Sequence, residues 1–137
     1  MRDAAFAFFL AAVLSVTGGM ALGIWMGISG DHSMAPVHAH LNLVGWVTLA
    51  LFGIYYRLTP AAGASPLARV HAVLAIAGVA VMTGGMAWLF SGGSEGPAIL
   101  GSLLTVASML VFLVTVLRHG FGSAARARSS GALHPAE

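Results

Sequence analysis

Three histidines, His38, His40 and His71, fall inside or at the mouth of long apolar runs of this 137-residue chain. Ionisable or metal-binding side chains are rare in such runs and are functional candidates by default. An imidazole there can ligate a metal, carry a proton or make one structural hydrogen bond. His38 and His40 are two positions apart, so on an ideal helix they point about 200° from each other and cannot hold one metal from one face. They suit two sites, or one site and one structural bond. The helix face below His38 carries Asn42, Gly45, Leu49, Phe52 and Tyr56, a mixture typical of a protein interior, and a glycine there leaves room for a flat macrocycle. The face below His40 carries Leu43, Val44, Val47 and Leu51, which suits lipid, a neighbouring subunit or a porphyrin edge. The alternative is that His38 caps the helix entrance and His40 anchors it at the membrane interface.

The elements that must position these histidines are membrane helices. Hydrophobic residues make up 58% and charged residues 7% of the chain, whereas about a quarter of residues are charged in a soluble domain. Four segments have the roughly 20 mainly apolar residues needed to cross a bilayer: about 5–28, 37–56, 67–90 and 98–117. The connections are rich in Gly, Pro and Ser, which punctuate helices. The fold class expected is therefore an all-α, integral membrane four-helix up-down-up-down bundle, over residues 1–120. Residues 121–137 read as a disordered, Arg-containing tail. The first run is too long for the apolar core of a signal peptide and is read as a helix. Arg57 and Arg69 flank the second connection and Arg118, Arg126 and Arg128 follow the last helix, while the other connections carry only Asp31 and Glu95. By the positive-inside rule both termini are cytoplasmic, and His38 and His40 lie toward the outer side.

Helical rise then separates the candidates. His71 falls opposite about Phe52, roughly 18 Å along the axis from His40, so the two cannot ligate one iron within one bundle. His71 reads either as a structural histidine donating to a backbone carbonyl or as the mark of a second metal site near the cytoplasmic face. Met20, Met26, Met82 and Met86 lie at the depth of the His38–His40 pair and are potential thioether ligands, although methionine in such helices is mostly packing. Trp25, Trp46, Trp88, Tyr55 and Tyr56 fall mostly toward segment ends, where interfacial aromatics gather. Thr17-Gly-Gly-Met-Ala21 recurs as Thr83-Gly-Gly-Met-Ala87. Small residues that let helices approach closely explain it first, and a duplicated two-helix unit second.

The stretch His38-Ala-His40-Leu-Asn-Leu-Val-Gly45-Trp46-Val47, followed by Gly53, Tyr55-Tyr56 and Pro60, resembles a helix of heme-copper oxidase subunit I, and also the NnrS membrane family. The resemblance covers about 23 of the 137 residues. It implies heme b as cofactor, with His38 and His40 as iron ligands on opposite faces of the second helix and Gly45 and Trp46 among the cofactor-binding residues; Met86 joins them through its depth in the bundle, as a potential thioether ligand. It further implies a homo-oligomer, a trimer in analogy to the three four-helix arcs of the oxidase subunit. An oxidase subunit has about a dozen helices and further histidines for copper. A single chain of this length therefore lacks a complete oxygen-reducing centre, and no catalytic residue is assigned.

Three functions follow as expectations. The first is a membrane heme protein for electron transfer or for binding oxygen or nitric oxide, in a bacterial cytoplasmic membrane. The second is a copper-handling protein using His32, Met34, His38 and His40, since Cu(I) favours Met and His donors. The third is a structural or assembly subunit that holds no cofactor. The chain has no cysteine, which excludes disulfides, thiolate zinc sites, iron-sulfur clusters and covalently attached c-type heme. Its basicity comes from scattered flanking arginines, which argues against nucleic acid as a partner. No hydrolase triad or phosphate-binding glycine loop is present.

Overall fold

Asp3 opens the first helix. Its carboxylate accepts the Phe6 N–H at 2.9 Å, satisfying one of the free donors that every helix start presents. In the computed structural model, which describes residues 3–122, five helices follow in order: α1 (Ala4–Ser29), α2 (Ala35–Leu58), α3 (Pro60–Gly63), α4 (Pro66–Phe90) and α5 (Gly96–His119). All but α3 are long and apolar enough to cross a membrane. No strand occurs among the described residues. A helix suits this environment because it satisfies its own backbone in a medium with no water to help.

The helices begin one or two residues before the apolar runs do. Pro36, Pro66 and Pro97, which read as connection residues, sit in first turns instead. There the missing proline N–H loses nothing and the fixed φ favours the helix. Gly30 closes α1 at φ 70°, donating to Met26 O at 3.0 Å, a left-handed cap that glycine adopts without strain.

α2 is not uniform. Leu41–Thr48 is π-helical, between α-helical turns at Ala35–His40 and Leu49–Leu58. Thr48 Oγ1 donates five residues back, to Leu43 O at 2.9 Å. The wide turn begins directly after His40, and such turns gather at functional sites.

Packing pairs the helices into hairpins. Asp3 Oδ2 lies 3.9 Å from the Arg57 guanidinium while Gly23 meets His38, so α1 and α2 run antiparallel. α4 and α5 pack backbone to backbone: a methyl on Gly101 would strike the Met82 backbone, and one on Gly85 would strike Pro97 and Ala98. In both copies of the Thr-Gly-Gly-Met-Ala repeat the second glycine, Gly19 or Gly85, meets the next helix, and the first, Gly18 or Gly84, has open space. Thr17 and Thr83 each donate to the carbonyl four residues back at 2.8 Å. In both hairpins the repeat places one glycine at the helix contact.

The core is small-residue rich, with Phe8, Leu49, Phe52, Tyr55, Tyr56 and Val79 among Ala12, Ala68, Ala72 and Ala75. Most large aliphatic side chains face outward, with Ile28 83% and Leu117 77% exposed. In water that surface would be a liability; it is the surface that a multi-pass membrane protein presents to lipid. Tyr55 and Tyr56 are buried rather than at an interfacial belt. The Tyr55 hydroxyl donates to Gly120 O at 2.7 Å, and Gly122 N–H donates to Thr59 Oγ1 at 3.0 Å. The segment after α5 is thereby fastened to the end of α2. The rest of the tail, 123–137, lies outside the described residues.

Candidate functional site

The His38 environment is built by two interlocking ridges. Gly19 and Gly23, four apart on α1, receive Asn42 and His38, four apart on α2. A methyl on Gly19 would lie 2.7 Å from Asn42 Nδ2, and one on Gly23 would lie 2.8 Å from His38 Cε1. Small residues at this spacing let membrane helices approach closely. Across the contact His38 Nδ1 lies 2.8 Å from Gly19 O. A carbonyl only accepts, so Nδ1 carries the proton and the neutral ring keeps its lone pair on Nε2. Asn42 Nδ2 donates to His38 O at 2.8 Å. It lies 3.5 and 3.4 Å from the two ring nitrogens, a near-equal spacing that puts the amide against the ring rather than in a directed bond.

His40 points elsewhere. Its Nδ1 donates to Pro36 O, one turn back, at 2.8 Å, which again leaves the lone pair on Nε2. The ring is half-buried, and the flank below it carries Leu43 and Leu51, 64% and 58% exposed. The opposed faces expected for the pair are present: the stripe under His38 is the interior, with Gly45, Leu49, Phe52 and Tyr56 buried. The space expected beside Gly45 is filled, because a methyl there would sit 2.7 Å from Ser15 Cβ. Trp46 is half-buried with its ring against Phe9, centroids 6.4 Å apart. Met86 is half-buried one residue past the Gly85 contact; Met26 and Met82 are buried, and Met20 is largely exposed.

His71 occupies a different setting, toward the Arg57 end. It is fully buried, and Phe52 is its near neighbour at the depth that helical counting places it, with ring centroids 4.5 Å apart. Phe8 at 4.9 Å and Phe112 at 5.2 Å complete a box contributed by α1, α2 and α5. Its polar partner is the Tyr56 hydroxyl, 2.9 Å from Nδ1, not the backbone carbonyl expected. Nε2 has no hydrogen-bond partner among the described residues. When Tyr56 donates, the remaining proton sits on Nε2 and meets only aromatic faces, a weak N–H···π arrangement.

Among the described residues no three His, Cys, Asp or Glu side chains gather as a metal group, so His38, His40 and His71 form no joint centre. In the connection, His32 Nδ1 turns back to Gly30 O at 3.0 Å. Asp31 accepts the Ser33 N–H at 2.9 Å, and this bond holds its carboxyl below the ordinary value of 3.8. Sequence reading singled out His38 and His40 but not their seat. The Gly19-x-x-x-Gly23 spacing is the signal that could have found it, since the repeat Thr17-Gly-Gly-Met-Ala21 takes in Gly19 but not Gly23.

Fold and site together define an all-helical, multi-pass membrane protein with one histidine seated on a glycine ridge and another facing outward. No family model, curated protein or solved structure matches this chain.

Proposed function

We propose that this chain is a membrane heme protein, akin to a single four-helix arc of heme-copper oxidase subunit I, with His40 as the iron ligand contributed by the outward flank of α2. One observation carries the reading: at the mouth of α2 both motif histidines have Nδ1 tied to a backbone carbonyl at 2.8 Å. This is the outer-shell arrangement that fixes ring orientation and leaves Nε2 free to ligate. Between the two, space favours His40. The His38 ring is pressed against Gly23 and Asn42, whereas the His40 flank is open and apolar.

Heme b, when bound, supplies a one-electron couple or an open iron position for oxygen or nitric oxide. The chain's own residues do the rest. Pro36 O orients the His40 ring, Leu43, Val47 and Leu51 lower the dielectric and exclude water, and the π-turn sets how the flank below the ligand faces. His40 would hold the heme iron from this chain, and any further ligand would come from a second chain in a homo-oligomer such as a trimer, or from the bound gas. Both termini face the cytoplasm of a bacterial cell in this reading, with the motif toward the outer side, on the distribution of arginines.

A cofactor-free structural role is the second reading, favoured by the way His38 clasps α1 to α2. A dithionite-reduced minus oxidised spectrum of the purified protein from heme-replete cells separates them. Sharp alpha and Soret bands that survive His38→Ala and vanish in His40→Ala support the proposal. A colourless wild-type protein under the same conditions leaves the structural reading.

A further inference from the structure

The end of the bundle opposite the histidine motif carries a separate feature. Arg57 closes α2 and Arg69 lies in the second turn after Ser65, and both face outward. Two grooves run from them down the lipid-facing surface. One, of about 440 Å³, lies between α1 and α2, headed by Arg57 and Asp3 and walled by Phe6, Phe9, Gly53 and Ile54. The other, of about 480 Å³, lies between α1 and α4, headed by Arg69 and the same Asp3 and walled by Ala4, Ala7, Ala72 and Val73. A third hollow over the start of α1, of about 370 Å³ and lined by Asp3, Tyr56, Arg57 and Gly63, lies between the two heads.

The charges at the heads are unequal to their partners. Asp3 is engaged with the Phe6 N–H and lies 3.9 Å from Arg57. Arg69 makes no ion pair or side-chain hydrogen bond among the described residues. Among the described residues at these heads, two guanidiniums against one carboxylate leave a single net positive charge at this end of the bundle. Guanidinium pairs well with phosphate oxygens, and basic pockets between membrane helices select anionic head groups.

We infer that the Arg57 end of the bundle binds one anionic phospholipid, its phosphodiester between Arg57 and Arg69 and its two acyl chains in the grooves on either side of α1. The juxtaposition of two apolar grooves, each headed by an arginine beside the one shared carboxylate of Asp3, with a polar hollow between them matches the two-chained, singly charged outline of such a lipid. A zwitterionic lipid fits the grooves equally but brings no net charge to the head. The inference does not depend on the heme reading.

The test is native mass spectrometry of the full-length protein, released from detergent carrying equimolar phosphatidylglycerol and phosphatidylcholine. Phosphatidylglycerol adducts are expected to dominate about fivefold, in line with the attraction of one basic residue for an anionic membrane surface. That ratio falls below one in R57Q/R69Q, where the Asp3 carboxylate remains unopposed, and survives in R57K/R69K. R69Q alone, which breaks no bond, lowers it as well and serves should the double variant not fold. Equal adducts in the wild type overturn the inference, as does a ratio unchanged in R69Q and R57Q/R69Q. Millimolar inorganic phosphate leaves the adducts in place; their displacement by phosphate marks a free-anion site and overturns it too.

Discussion

His38 and His71 are both histidines of membrane helices, and the bundle satisfies them in opposite ways. At His38 one helix lends a backbone carbonyl and two glycines, and the ring lies half-buried with a lone pair to spare. At His71 three helices supply rings, one hydroxyl makes the only hydrogen bond among the described residues, and the second nitrogen is left among aromatic carbons. A polar ring buried away from water costs free energy unless it is paired. The first solution spends backbone capacity and clasps α1 to α2 with the ring half-buried. The second spends side-chain volume and shuts the ring away, so the larger share of stability belongs at the second.

The comparison is broken most directly by emptying the aromatic box. Phe8→Ala removes a fully buried ring in contact with Phe52, Tyr56 and His71 and is expected to destabilise by about 3 kcal/mol. Denaturant unfolding in detergent, followed by circular dichroism, measures it, and a loss below that of any change at the His38 seat would reverse the assignment of stability to the box. Gly23→Ala places a methyl 2.8 Å from His38 Cε1, displaces the ring from Gly19 O and costs about 2 kcal/mol. If the ring swings aside freely, Gly23→Ala will be as stable as wild type in the same titration. Tyr56→Phe leaves both His71 nitrogens unpartnered and costs about 1.5 kcal/mol, read as a lower midpoint of thermal unfolding. Gly18→Ala, in open space one position from the seat, has the opposite sign and stabilises by about 0.5 kcal/mol through helix propensity. The smallest effect sharpens the pH behaviour near the motif. Asp31 titrates below 3.8 in the fold because the Ser33 N–H holds its charged form, so its contribution is present above that value and disappears as pH falls through the lowered one. Asp31→Asn should therefore be less stable than wild type at pH 7 and should match it once acid has protonated the carboxyl, compared by thermal melts at the two pH values.

Much of this arrangement was legible from residue types alone. Four apolar runs of spanning length mark the four long helices, because hydrophobic length is a composition property that packing does not alter. His71 falls beside Phe52 because helical rise is constant over the two segments. The helix starts were set one or two residues late because proline stops a helix interior yet opens a first turn, and sequence does not say which role it takes. The π-turn of α2 escaped a reading based on 3.6 residues per turn. The burial of Tyr55 and Tyr56 escaped for a different reason: nearness to a segment end predicts an interfacial belt, but α3 and the residues after α5 fold over that end and cover it. The Gly45 notch looked like room for a ligand and is filled by Ser15, since a gap in one helix says nothing about the knob that its neighbour supplies.

The His71 box also bears on how the chain is made. Its walls come from α1, α2 and α5, and the last ring to be synthesised is Phe112. Until that turn of the final helix has been made, the box lacks its α5 wall and the His71 ring lacks its Phe112 partner. The last helix to be added thus completes the packing around the most buried histidine of the described residues.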